Sequence, residues 1–223
     1  MGTVRVNSVT IKSATNSVYN SPFYNNKKIT SVDLGQVAWV NNSMQNAFYT
    51  CSNLISVSNF SQAITDVNQC FQGCSNLVSV QDFPWNSAAN GNWHWVFSSC
   101  TKLTTFPQSI PNGVQRLHGT FYGCKQMVTA PIIPPSVTSL GYATDSWCCF
   151  AGCTNLTGNI YIESQDLTAT EYCFSSTPLQ KNIYIPFKYS NGTYTTTYDS
   201  FIASGYTTTG SYQNVYLKDI GTL

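Results

Sequence analysis

Charge is what this sequence has least of. Only 9% of its 223 residues are Asp, Glu, Lys or Arg, ten basic against nine acidic, for a net charge of +1. An ordinary soluble domain carries roughly 25%, so Ser, Thr, Asn, Gln and Tyr must keep this surface hydrated. Nucleic acid and anionic membranes are held through dense Lys and Arg footprints. With so few basic residues none can be assembled, and nucleic acid is excluded as a partner. Long apolar runs are also missing. No stretch approaches the roughly 20 residues that span a bilayer, so membrane insertion is not expected. The start, Met1-Gly2-Thr3-Val4-Arg5-Val6-Asn7, lacks the basic-then-apolar order of a secretory signal, and Val6 stands where N-myristoylation wants Ser or Thr.

The signatures of catalysis are absent as well: no G-x-S-x-G elbow, H-E-x-x-H, P-loop or G-x-G-x-x-G. The nine acids are dispersed, and Asp145 and Glu163 could meet only through folding. The expectation is a protein that is not an enzyme and takes no cofactor.

What the chain does have is self-similarity. Phe48-Tyr49-Thr50-Cys51-Ser52-Asn53-Leu54 recurs at Phe71–Leu77, Phe97–Leu103, Phe121–Met127 and Phe150–Leu156, giving F-x-x-C-x-x-L. A degenerate copy runs from Phe23 to Ile29, and a last one begins at Phe174 with Thr177 in the Cys slot. Phe at 23, 48, 71, 97, 121, 150 and 174 makes seven repeats spaced by 25, 23, 26, 24, 29 and 24 residues, within the roughly 20–29 of leucine-rich repeats. Three residues after each Leu comes another apolar residue, as Val57 follows Leu54, which marks a short strand. Apolar residues seven and four before a Phe, as Ile64 and Val67 before Phe71 or Val114 and Leu117 before Phe121, suggest a short helical turn with one inward face. One such unit cannot bury its own face, so neighbours must stack. The expected fold is a right-handed repeat solenoid with a parallel sheet, over residues 21–186. Residues 1–20, with Val4, Val6, Val9 and Ile11, form an N-terminal cap or attachment strand. Residues 187–223 form a C-terminal cap or docking module, with a helix near Thr195–Gly205 and a strand near Asn214–Ile220.

The segment Pro134-Pro135-Ser136-Val137-Thr138-Ser139-Leu140-Gly141, followed by Cys149-Phe150-Ala151-Gly152-Cys153-Thr154-Asn155-Leu156-Thr157, resembles the BspA-type leucine-rich repeat, whose consensus is IPxxVTSIGxxAFxGCTxLTSI. The chain departs from it by an insertion around Tyr142–Ser146 and irregular turns at Trp85–Asn92. The resemblance implies adhesion or ligand binding at bacterial, protist or phage surfaces, without one conserved active site.

The repeat register sorts the remaining residues. Cys51, Cys74, Cys100, Cys124 and Cys153 share one slot and read as a buried structural ladder with Phe48, Phe71, Phe97, Phe121 and Phe150. Cys70, Cys149 and Cys173 precede the Phe and read as packing, which leaves Cys148 outside a core slot. Disulfides between neighbouring ladder thiols are not expected, because parallel Cβ vectors oppose the bond geometry, and zinc is not expected, because the repeat accounts for the Cys70/Cys74 and Cys149/Cys153 spacings without a metal. An odd count of mostly unpaired thiols points to folding in a reducing cytoplasm. The slot three before the Phe carries Gln45, Asn68, His94, His118, Trp147 and Glu171 and should face outward. With Trp95, Tyr24, Tyr49 and Tyr122 it offers an aromatic surface, and the candidate ligand residues are His94, Trp95, His118, Trp147, Tyr49 and Tyr122. The strands add a hydroxyl column: Ser31, Ser56, Ser79, Thr105 and Thr129.

A surface-binding chain without a signal, rich in free thiols, is read as a bacteriophage virion component: a fibre, tail or capsid-decorating subunit. Its partners would be other virion proteins, like copies, or a host-surface glycan or protein. The alternative is a fragment of a bacterial cell-surface adhesin; a glycan-processing tail enzyme comes third.

Overall fold

The computed structural model describes residues 8–10, 21–35, 38–80, 83, 91–106, 108–142, 147–168, 170–178, 181–206 and 215–221. The insertion expected around Tyr142–Ser146 and the turns at Trp85–Asn92 lie largely outside these residues, as does most of 1–20.

The strands follow from period-two burial. In β2 (Ser31–Asp33) and β3 (Ser56–Ser58) a buried Val stands between two half-buried residues, the pattern of a strand with one face covered. With β1 (Ser8–Thr10) and β4 (Ser79–Val80) they make a parallel sheet in which Val9, Val32, Val57 and Val80 are in register. A bridge from Ser79 to Thr105 carries the ladder on. A second parallel sheet joins β5 (Ile160–Tyr161), β6 (Lys181–Ile185) and β7 (Val215–Asp219), aligning Ile160, Ile183 and Leu217.

The segment before each Phe is not a helical turn. It is a pair of tight turns whose residues two before and two after the Phe are left-handed: Asn46 and Thr50, Gln69 and Gly73, Trp95 and Ser99, Gly119 and Gly123 all have φ between 54° and 78°. Alternate N–H groups close turns onto a carbonyl three residues back, as Cys51 does onto Phe48 at 3.0 Å. The intervening ones point to the next repeat: Asn46, Phe48 and Thr50 donate to Asn68, Cys70 and Gln72 at 3.1, 2.9 and 2.6 Å. The apolar spacing that suggested a helix instead marks three inward points on a backbone whose ladder bonds run between repeats. Those bonds hold non-Gly residues such as Trp95 in a region that costs L-residues about 1–2 kcal/mol.

Phe23, Phe48, Phe71, Phe97, Phe121, Phe150 and Phe174 form one column, with adjacent ring centroids 5.0–5.8 Å apart and planes within 15°. Beside it runs the thiol ladder. Cys51, Cys74, Cys100, Cys124 and Cys153 donate to the carbonyls of Phe23, Phe48, Phe71, Phe97 and Phe121, each in the preceding repeat, at 2.9–3.2 Å. All five are free and buried, with Cys70 and Cys149. Burial pushes the thiols of Cys70, Cys74, Cys100, Cys124 and Cys149 well above their ordinary pKa.

Cys148 and Cys173 correct the sequence reading. Cys148 is fully buried and forms a disulfide with Cys173, 4.5 Å away between Cα atoms. A side chain expected outside the core, and one expected merely to pack, thus link adjacent repeats covalently.

The C-terminal residues leave the sequence pattern yet continue the stack. Helix α1 (Thr196–Ala203) starts at Thr195, whose hydroxyl accepts from Tyr198 N–H at 3.0 Å and donates to the Pro186 carbonyl at 2.6 Å. It ends at Gly205, φ 85°, where Gly205 and Tyr206 N–H close onto Ile202 and Phe201. Phe201 then lies on Phe174 at 6.3 Å and 18°, extending the aromatic column.

Candidate ligand-binding face

The ladder bonds decide which turn residues become neighbours. Gln69 N–H donates to His94 and Trp95 N–H to His118, so the slot three before each Phe is in register from repeat to repeat. The His94 and His118 rings stack at 4.7 Å and 7°. Tyr142 crosses them, 4.0 Å from His118 and 6.5 Å from His94. His118, expected to face outward, is only 4% exposed. The Ser139 hydroxyl donates to the Gly141 carbonyl at 2.7 Å and lies 2.9 Å from His118 Nε2. With its hydrogen committed, Ser139 can only accept from His118, which assigns the Nε2–H form to that imidazole. The pKa of His94 is lowered, first by burial and then by Arg116, with Asp66 opposing, so the ring is neutral near pH 7.

Trp95 is half-buried and lies flat over Gly119: a Cβ on that glycine would come within 2.5 Å of the indole. Trp147 meets Trp95 edge-on at 5.1 Å and 69°, and Tyr122 at 4.8 Å and 36°. Trp147 remains 43% exposed and Tyr142 46%. Of the sequence candidates, His94 and His118 are therefore brought together under Tyr142, and Trp95, Trp147 and Tyr122 with one another, the two groups adjoining in the chain at His94-Trp95. Tyr49 is not: it stacks on Tyr24 at 5.0 Å as a separate pair. Tyr142, Ser139 and Gly119 were not anticipated. Tyr142 lies on the insertion, where register is lost, whereas Gly119 could have been found by comparing its slot with that of Trp95 one repeat earlier.

On the strand side Ser31, Ser56, Ser79 and Thr105 are in register. A second, apolar column lies beside it: Ile55, Val78 and Val128 are 48%, 38% and 53% exposed. Ile55 and Val78, with Thr30, Asn53, Asn76 and Lys102, line a shallow hollow of about 340 Å³. Among the described residues no group of three or more His, Cys, Asp or Glu side chains is placed to hold a metal ion, and no helix is long and apolar enough to cross a membrane.

The repeat geometry has a counterpart among known sequences. The profile of the BspA type leucine rich repeat region matches residues 1–104 and 93–201. This chain belongs to the BspA-type leucine-rich repeat family. The family assignment runs through the phenylalanine column and into α1, and it accounts for the parallel strands. No curated protein gives a significant match. Among solved structures, the chain is similar to a leucine rich cell surface protein from Faecalibacterium prausnitzii A2-165, at 18% identity and a TM-score of 0.35. That similarity covers 78% of this chain and 47% of the other, so this BspA-type chain spans about half the length of its solved counterpart.

Proposed function

We propose that this BspA-type protein is a non-catalytic binding protein displayed at a cell surface, of the adhesin kind. The repeats would wind as one right-handed solenoid over residues 21–186, with 1–20 and 187–223 closing its ends. The observation that carries the reading is the cluster of large aromatic side chains around Trp147, left open on a backbone tied to its neighbours at alternate N–H groups. Rigid exposed aromatics give much contact area at little entropic cost and are typical anchors of recognition surfaces. The Cys148–Cys173 disulfide adds support, since such bonds persist in oxidising surroundings and fit poorly with the reducing cytoplasm inferred from the thiol count. The virion alternative has no observation of its own beyond those that surface display explains.

Protease shaving of intact cells that express the protein tests this. Peptides from residues 21–206 should be released without lysis, and the purified chain should bind cell surfaces. Recovery only from particles freed by lysis would overturn surface display in favour of the virion reading.

A further inference from the structure

We propose that the Trp147 face is a subsite for a neutral carbohydrate; this rests on the surface-binding reading above and names its ligand class. Trp147 is fixed by Trp95 edge-on at 69° and by Tyr122 at 36°, so an open indole is presented in one orientation against a second aromatic wall. A flat, immobilised ring of this kind matches the C–H face of a pyranose, and ordering it costs the complex little.

Trp95, Trp147, Tyr122 and Tyr142 carry no formal charge, and His94 is held neutral by its burial. Arg116, the cation that acts on His94, is engaged with Asn92 Oδ1 at 3.3 Å. An acidic glycan, a phosphate or an acidic peptide would require cations that this face does not offer. An aliphatic peptide would seek apolar partners, and the exposed Ile55, Val78 and Val128 stand in the strand column instead.

The exposed Tyr142 packs on His118, which Ser139 orients, so a hydroxyl-bearing ring lies over the histidine pair whose His94 directly precedes Trp95 in the chain, on a support that ends at the Gly141 carbonyl. Stacking surface and hydroxyl rim together suit a ligand with one apolar face and an edge of hydroxyl groups.

An array of neutral, sialylated and sulfated oligosaccharides probed with the full chain should show binding to neutral members. On the best of these, Trp147→Ala should weaken the Kd by about tenfold or more and Trp147→Phe by clearly less. Neither should move the melting temperature by more than about 2 °C. Binding to charged members alone, binding to none, or unchanged affinity in Trp147→Ala overturns the assignment. Should Trp147→Ala fail to fold, saturation-transfer NMR on the unaltered protein decides: transfer from indole to sugar ring protons supports the subsite, and its absence overturns it. Treated cells separate this proposal from the reading beneath it. Binding abolished by periodate, which cleaves vicinal diols, and spared by protease supports the carbohydrate. The opposite pattern overturns the carbohydrate and leaves surface binding standing, whereas no binding to any cell removes both.

Discussion

The phenylalanine column makes a graded prediction. Phe97 is fully buried, with Phe71 and Phe121 on its two faces at 5.7 and 5.8 Å and Phe83 tilted against it at 5.5 Å. Truncating a buried Phe to Ala costs about 3–5 kcal/mol, depending on how far the site can collapse. Here it can collapse little, because the flanking turns are bonded to both adjacent repeats. The lost ring contacts are each worth about 0.5–1.5 kcal/mol beyond their area, which places Phe97→Ala at the upper end, about 5 kcal/mol. Phe23 is half-buried with Phe48 stacked on one face, and its truncation should cost about 2 kcal/mol. For a chain of this length about 2–4 °C accompanies each kcal/mol. Thermal unfolding followed by far-UV circular dichroism should therefore fall about 10–20 °C for Phe97→Ala and about 4–8 °C for Phe23→Ala. Phe97→Leu, at about 1.5 kcal/mol, serves as the milder probe if Phe97→Ala does not fold. A cost below about 1.5 kcal/mol for Phe97→Ala, or one no larger than that of Phe23→Ala, would refute the column as the core of the stack.

Further outcomes concern the thiols, the C-terminal helix and the aromatic face. Alkylation of denatured, unreduced protein should modify seven cysteines and spare Cys148 and Cys173, as mass spectrometry would show; nine modified residues would disprove the bond. The buried thiols have folded-state pKa values raised by burial, so their contribution to stability is complete below the ordinary thiol value of about 8.5 and is lost as pH rises past it. Each can add up to about 1.4 kcal/mol of destabilisation per pH unit, and urea midpoints that stay flat from about pH 8 to 10 would contradict that linkage. Thr195→Ala removes both the N-cap of α1 and the bond to Pro186; a loss of about 2 kcal/mol is expected in urea melts, and a negligible loss would mean α1 unfolds separately from the stack. Gly119→Ala would force Trp95 off its seat, so the tryptophan emission should shift; an unchanged spectrum would show that the indole does not rest there.

Much of the core was legible because five copies of F-x-x-C-x-x-L put the same side chain in the same place. Identical spacing had to produce a ring column and a thiol column, whatever the backbone between them. The backbone itself was misread. Apolar residues at minus seven, minus four and zero fit one helix face, but they equally fit a chain that turns inward three times. Gly73, Gly123 and Gly152, all two after a Phe and all at positive φ, were the available signal for left-handed turns. The Cys148–Cys173 bond and the burial of His118 escaped for another reason. Both involve residues that flank the insertion after Leu140: Cys148, bonded to Cys173, and Tyr142, packed on His118. Register arguments have no hold on a segment that leaves the register.

The thiol ladder gives the stack a direction. Each Cys reaches back to the Phe carbonyl of the repeat before it, until Thr177, whose hydroxyl turns to Phe174 of its own repeat. Between Phe48 and Cys153 every thiol bond is thus of one kind, and it depends only on there being a preceding Phe carbonyl, not on which repeat supplies it. Tandem duplication or loss of whole repeats in that stretch would leave each bond with a partner of the same chemistry: excising residues 71–96 would hand Cys100 the carbonyl of Phe48 in place of that of Phe71. The thiol ladder can change its reach one notch at a time and keep every bond, while the disulfide and the helix that follow close its far end.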